Sequence, residues 1–436
     1  RLSRAGVQPT LTAMRPYPTL PLHMHVQIGK ACSIGYEAIM KPLVSAFFAM
    51  QIAWLGFGVA AMGQTIKVGV VTPLTGRYAA IGNELKHGYD IAVEKIKAGG
   101  GVQVGNRRLL LELIVLDDES DATKTVARLE THAAQGVVAY LGGVGSDLHA
   151  AGATVAEKNR IPYLGVGFAL ENIHKQGYRY LFSPFWKSPQ IARETYRLLN
   201  GSLAENQRPK KVALFLEKTD WGQEIGGYWE SFGKEAGYEV VVKGEYAPGA
   251  KDFSNIILQA RSGGAESVLG VPSPPDGMTL VKQMKELDFT PKFLMLLRGS
   301  DSPAWTNNLG AAGDYTILGT GWHAALKYPE VKELNDTYMR KHNRLADPVV
   351  GPGYAVVQIL ADALTRAKAV DREALRQALA STNMMTVSGP LRFRADGTAE
   401  ISGVFIQWQK GKQQLIWPKE NATAPFAYPA LPFNQR

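Results

Sequence analysis

From Ile66 onward, short runs of Val, Ile and Leu alternate with stretches of helical period, and the alternation runs through twice. In the first series the apolar runs are "KVGVV" (67–71), "LLLELIVL" (109–116), "GVVAYLG" (136–142) and "IPYLGVG" (161–167). Runs this continuous suit strands covered on both faces, as in a parallel sheet flanked by helices. Between them, residues 84–101 place Leu85, Tyr89, Ala92, Val93 and Ile96 on one face and end in glycines, a helix with its stop signal. Residues 120–136 offer Asp121 as an N-cap, a stripe of Val126, Leu129 and Ala133, and Gly136 as terminator.

The rhythm restarts after "SPFWKSPQ" (183–190). Strand-like "KVALFLE" (211–217), "YEVVVKGEY" (238–246), "SVLGVPS" (267–273) and "KFLMLL" (292–297) alternate with helical patterns at 222–237, 252–264 and 277–287. Two successive series of this kind predict an α/β protein of two doubly wound parallel-sheet lobes. Two further helical patterns follow "TILGTGW" (316–322), and residues 389–417 read as strands with a turn at Asp396-Gly397. Ligands of open α/β sheets bind beyond the carboxyl ends of the strands. That rule gathers the loops at 72–82, 142–147, 165–170, 218–222, 272–276 and 298–303 around one site.

Among these loops "YLGGVGSDLHAAG" (140–152) is built for an anion. Its glycines let backbone N–H groups converge, and Ser146 is placed to cap a helix whose positive end would face the ligand.

Ahead of the folded body, "PLVSAFFAMQIAWLGFGVAAM" (42–62) carries no charge, follows Met40-Lys41 and closes on small residues. Basic, apolar, small is the order of a secretory signal, so residues 40–63 are expected to be a signal peptide cut after Ala61 or Gly63. The run is also long enough to span a bilayer, but the first strand begins too soon after it for an anchored domain. Residues 1–39, rich in Pro and His and without period, read as an extension outside the fold, with Met40 a natural start.

The net charge of +9 includes Arg1, Arg4, Arg15, Lys30 and Lys41 against Glu37 in this front segment. What remains is dispersed, with no basic stripe for nucleic acid. The one cysteine, Cys32, precedes the fold, which excludes a disulfide framework or a thiolate metal site there. The chain has no G-x-G-x-x-G at a strand-to-helix turn, no Walker A loop and no G-x-S-x-G elbow. "DDESD" (117–121) lacks the central glycine of a calcium loop and has Arg128 at the position of its last ligand. Asp117-Asp118 reads instead as polar residues closing a strand. His87, His132, His149, His174, His323 and His342 are scattered without metal spacing and each reads as a lone surface residue. Neither a catalytic set, a metal nor a cofactor is expected.

Residues 68–130 resemble the first lobe of the Leu/Ile/Val-binding protein family, the periplasmic receptors of ABC importers. "DWGQEIG" (220–226) is similar to that family's Tyr-Gly loop with Trp in place of Tyr, and "APGAKDFSNIILQAR" (247–261) to its Pro-Gly-x-x-Asp-Phe segment. The resemblance runs from about Ile66 to Trp417. It implies a type I periplasmic binding protein fold whose three crossovers lie near 184–189, 320–322 and 387–390. Lobe 1 is then 64–184 plus 322–388, and lobe 2 is 185–321 plus 389–436. It also implies a monomeric periplasmic receptor, not an enzyme, that hands a small ligand to a membrane permease.

Site residues follow from the same resemblance. Ser146 and backbone groups at Phe168-Ala169 would hold a ligand carboxylate, with Ala169 standing where a Thr is usual. Tyr78, Phe168 and Trp221 would form apolar walls. Where amino-acid binders hold an ammonium with Glu, this chain aligns Arg298, or Leu297 with a one-residue gap. A cation there favours an organic acid, aromatic or dicarboxylic, over an amino acid. The alternatives are a branched-chain amino acid receptor with Asp301 or Asp276 on the ammonium, or, in another class, a secreted α/β enzyme or sensor ectodomain.

Overall fold

The computed structural model describes residues 65–436; the segments expected as a signal peptide and as an extension before it lie outside the described residues. The first lobe is built on strands β1 (Thr65–Thr72), β2 (Val102–Val104), β3 (Arg107–Asp117), β4 (Ala139–Leu141), β5 (Tyr163–Leu164) and β6 (Leu181–Phe182) in the order β2-β3-β1-β4-β5-β6. Central β1 is buried from Val68 onward and pairs in parallel with β3 and β4, as its apolar run predicts. Helices α1 (Ala79–Ala98), α2 (Ala122–Ala134) and α3 (Ser146–Asn159) connect the strands. Asp121 caps α2 by accepting from Lys124 N–H at 2.8 Å.

Helix α4 (Ser188–Ser202) leads into the second lobe. There β7 (Lys211–Glu217), α5 (Asp220–Glu235), β8 (Glu239–Tyr246), α6 (Ser254–Ser262), β9 (Ser267–Gly270), α7 (Pro274–Glu286), β10 (Phe293–Leu296), α8 (Trp305–Leu309) and β11 (Thr316–Thr320) follow in turn. The chain then returns to the first lobe through α9 (Val331–His342), α10 (Val350–Ala367) and α11 (Arg372–Ala380). Helix α10 lies against α1 backbone to backbone. A Cβ on Gly88 would stand 2.2 Å from the Val350 carbonyl oxygen, and one on Gly353 2.4 Å from that of Leu85.

Next come β12 (Asn383–Thr386), β13 (Gly389–Phe393), β14 (Ala399–Glu400), β15 (Val404–Gln409) and β16 (Lys412–Trp417). The second sheet runs β16-β15-β11-β10-β9-β7-β8, with β15 and β16 antiparallel at one edge. Strands β12 to β14 form a separate small sheet. It adheres to the first lobe through a Ser183–Thr398 bridge and the Phe182 and Phe393 rings, 5.3 Å apart. Residues 389–400, expected in the second lobe, therefore belong with the first, and the third crossover falls between Glu400 and Val404. Pairing of Thr386 with Gly389 makes Val387-Ser388 a hairpin turn instead of a linker. The alternation of 390–393 fits either lobe, so the sequence alone does not distinguish them.

In the first sheet the chain order reverses between β1 and β4, and in the second between β7 and β9. Crevices open at such switch points, and the two lobes turn theirs toward each other.

The contact between α1 and α10 leaves no room for a side chain. Gly353→Val should lower stability by about 1–3 kcal/mol through overpacking. A thermal unfolding midpoint equal to the parent's would contradict the close approach.

Candidate ligand-binding site

Two glycine-rich loops of the first lobe are zipped together at the crevice. Gly145 N–H donates to Gly167 at 3.1 Å and Gly167 N–H to Gly143 at 3.0 Å. A Cβ on Gly143 would meet Pro73 at 2.6 Å, and Gly145 has φ 115°, so neither tolerates a side chain. Gly145, not Ser146, is the cap; Ser146 is the first helical residue of α3. The expected capping role passes to the glycine because the turn needs a positive φ. Ser146 stays buried at the positive end of the helix, where first-turn N–H groups lack intrahelical partners.

The partner loop is pinned from behind by the hinge. Lys187 Nζ donates to the Phe168 carbonyl at 3.0 Å and to Ser183 Oγ at 2.7 Å, and Ser188 Oγ donates to the Ala169 carbonyl at 3.0 Å. Phe168 is sandwiched between His149 and His174, its centroid 4.5 and 5.7 Å from theirs. These two histidines and His132 are buried, a correction to the surface placement expected for them. Burial holds His149 down at about 4 and His174 at about 3, so both are neutral rings that pack like aromatics.

From the second lobe come Glu217 at the end of β7, Trp221 in the first turn of α5, and the loop after β10. Together the lobes border one partly open cavity lined by Ser146, Phe168, Ala169, Trp221, Arg298 and Asp301 with aliphatic side chains between them. Five of the six residues singled out from the sequence thus meet at one cavity. Tyr78 does not line it. Its hydroxyl accepts from Arg298 Nη1 at 3.1 Å, so it supports the wall from behind.

Arg298, at φ 64°, donates to Glu217 at 2.9 Å and to the Val271 and Pro272 carbonyls at 2.9 and 3.3 Å. Its guanidinium carbon lies 4.8 Å from the Tyr78 centroid and 4.9 Å from that of Trp221. Arg77 reaches across from the first lobe to Glu217 at 3.4 Å and also holds Asp147 at 2.6 Å. Asp117 ties down the loop that carries Arg77 and Tyr78, accepting from Leu74 N–H at 2.9 Å and Thr75 Oγ1 at 2.7 Å. Glu224 adds a second clasp between lobes, accepting from the N–H groups of Glu171 and Asn172 at 2.8 and 2.7 Å.

The cation expected to face a ligand unopposed is therefore already neutralised by Glu217. Glu217 was missed in the sequence; its only signal is an acid closing the apolar run "KVALFLE". Leu297, the gapped alternative to Arg298, also lines the cavity, whereas Asp276 lies elsewhere and accepts from Gly249 N–H at 3.1 Å. Asp301 does face the cavity. Burial lifts its carboxyl to about 7, with the Arg298 charge pulling the other way. Among the described residues no three metal-ligating side chains converge, and no helix is long and apolar enough to cross a membrane.

Removing one member of a buried ion pair leaves the other's charge uncompensated, at about 3–5 kcal/mol. Glu217→Ala should lose stability of that order in denaturant unfolding, and adding Arg298→Met should restore most of it. Additive losses in the double variant would contradict the pairing.

Comparisons with known proteins agree with this fold. A family model described as periplasmic binding protein matches residues 65–413. The Leu/Ile/Val-binding protein homolog 7 of Brucella abortus (strain 2308) is 26% identical over 399 residues, covering 87% of this chain and 98% of the relative. The leucine binding protein LivK of Thermotoga maritima shares the fold with a TM-score of 0.74 at 23% identity, covering 81% of this chain and 98% of its own. An R. palustris solute binding protein in complex with benzoate superposes with a TM-score of 0.70 at 19% identity, covering 83% and 97%. The chain belongs to the periplasmic binding protein family.

Proposed function

We propose that this protein captures a small carboxylate ligand between its lobes in the periplasm and delivers it to the membrane permease of an ABC importer. The observation that carries the proposal is the buried helix start at Ser146 opening into a mainly apolar cavity between the lobes. A carboxylate set against first-turn N–H groups and the Ser146 hydroxyl meets donors and a favourable dipole. Its apolar body packs on Phe168 and Trp221, and Ala169 offers backbone only. Tyr78 and Arg298 keep the wall in shape.

An aromatic monocarboxylate suits these surroundings. Glu217 occupies the Arg298 fork, so a second ligand carboxylate has no free cation to meet, and a dicarboxylate is disfavoured. The benzoate complex of the R. palustris protein is consistent with this ligand class. A second reading, a branched-chain amino acid, is favoured by one observation: Asp301 presents a carboxyl at the cavity that an ammonium would engage. Closure joins Arg77 to Glu217 and Glu224 to the Glu171 segment, so ligand contacts and lobe-to-lobe contacts form together.

Calorimetric titration with benzoate, succinate, leucine and valine tests the assignment. A one-to-one complex with benzoate, weakened by about 1–3 kcal/mol in Ser146→Ala, is expected from loss of a charge-assisted hydrogen bond. Tight leucine binding without benzoate binding selects the second reading, and no binding of any of the four contradicts the proposal. For the export step, mass spectrometry of periplasmic protein should find an N-terminus at Met62 or Gln64; an intact apolar segment in the membrane fraction would contradict a cleaved signal.

A further inference from the structure

Charged groups at the cavity wall have partners, with one exception. Arg298 is held by Glu217, and Arg77 by Asp147 and Glu217. Oδ1 of Asp301 is buried with no hydrogen-bond partner, and the residue is only 7% exposed. A bare carboxylate in such a place forgoes both water and donors, which is costly unless the group stays neutral or finds a cation.

The groups facing Asp301 do not supply that cation. On its own loop, Arg298 turns its fork to Glu217. On the segment before α10, Asp347 is buried too, and burial pushes its carboxyl well above the usual carboxylate range, with Glu84 and Asp301 adding to the push. Arg344 beyond it is committed to Glu84. Each cation in this region is thus already paired with an acid, and Asp301 and Asp347 each disfavour ionisation of the other. Only a ligand entering the cavity is left to complete Asp301.

We propose that Asp301 sets the charge of the ligand this cavity accepts. Holding its proton, it donates a hydrogen bond to a singly charged acid. Without the proton it admits only a ligand that brings a cationic donor, such as a protonated amine. The balance is simple: an amine ligand binds as its ammonium ion, and the Asp301 proton passes to solvent; an acid binds as its anion, and Asp301 keeps or takes up one proton. The inference rests on the cavity being the ligand site.

The test is calorimetry of the mature protein with benzoate and L-leucine as probes, between about pH 6 and pH 8.5, where neither probe changes its own charge. In the parent the ratio of leucine to benzoate affinity should rise with pH, by up to tenfold per unit. In Asp301→Asn, which is isosteric and permanently neutral, the ratio should be flat, with leucine weakened at every pH. Runs in buffers of unlike ionisation heat need no variant and should find the two complexes differing by about one bound proton. If only benzoate binds, its affinity should fall with pH in the parent and not in the variant; if only leucine binds, the variant should lose it. A flat ratio in the parent, equal proton counts, or a variant that behaves as the parent would overturn the role of Asp301 while leaving the cavity assignment standing. Binding of neither probe would overturn both.

Discussion

A guanidinium cannot leave water unless its charge and its N–H groups are met, and at the crevice that requirement organises the second lobe's wall. Arg298 sits at the end of β10, Glu217 at the end of β7, and the carbonyls of Val271 and Pro272 just past β9. One side chain thus ties together the carboxyl ends of three adjacent strands at the sheet's switch point. Through Tyr78, and through Arg77 on Glu217, the same cluster reaches the first lobe. Charge that would otherwise oppose burial becomes the fastening between lobes, in keeping with the strength of hydrogen-bonded pairs in low dielectric.

With that pair closed on itself, the cavity is left with two polar features of different kind. At one, the start of α3 offers N–H groups and the Ser146 hydroxyl without a formal charge. At the other, Asp301 offers a carboxyl that burial lifts to about 7, against the pull of Arg298. Apolar side chains lie between. Such a site favours small ligands with one anionic group and an apolar body, and it leaves selection of any further charge on the ligand to a proton.

Much of this was legible in the sequence because it depends on local chemistry. The apolar strand runs, the Asp121 cap and the glycines of 142–145 each carry a physical requirement that composition exposes. The lobes, the order of loops around the crevice and the place of Ser146 follow from them, whereas Phe168, Ala169, Trp221 and Arg298 were implied by the family resemblance. What was not legible depends on partners distant in sequence. Glu217 pairs with a residue 81 positions away, and nothing near it marks it as more than a polar strand end. His132, His149 and His174 were read as surface residues because a lone histidine gives no sign of the aromatic stack or carbonyl that receives it. Residues 389–400 were placed in the other lobe because their alternation fits any half-buried sheet. Gly145 took the cap from Ser146 because the backbone needed a positive φ there, a demand of the loop-to-loop zipper.

The most direct measurement of the central claim is a crystal structure grown with whichever of benzoate or leucine binds. The account expects the ligand carboxylate within hydrogen-bonding distance of the Ser146 hydroxyl and the first N–H groups of α3. Its apolar body should rest on Trp221 and Phe168, with the Arg298 guanidinium still on Glu217. A carboxylate seated on Arg298 with Glu217 displaced, or a ligand bound outside the cavity, would contradict it.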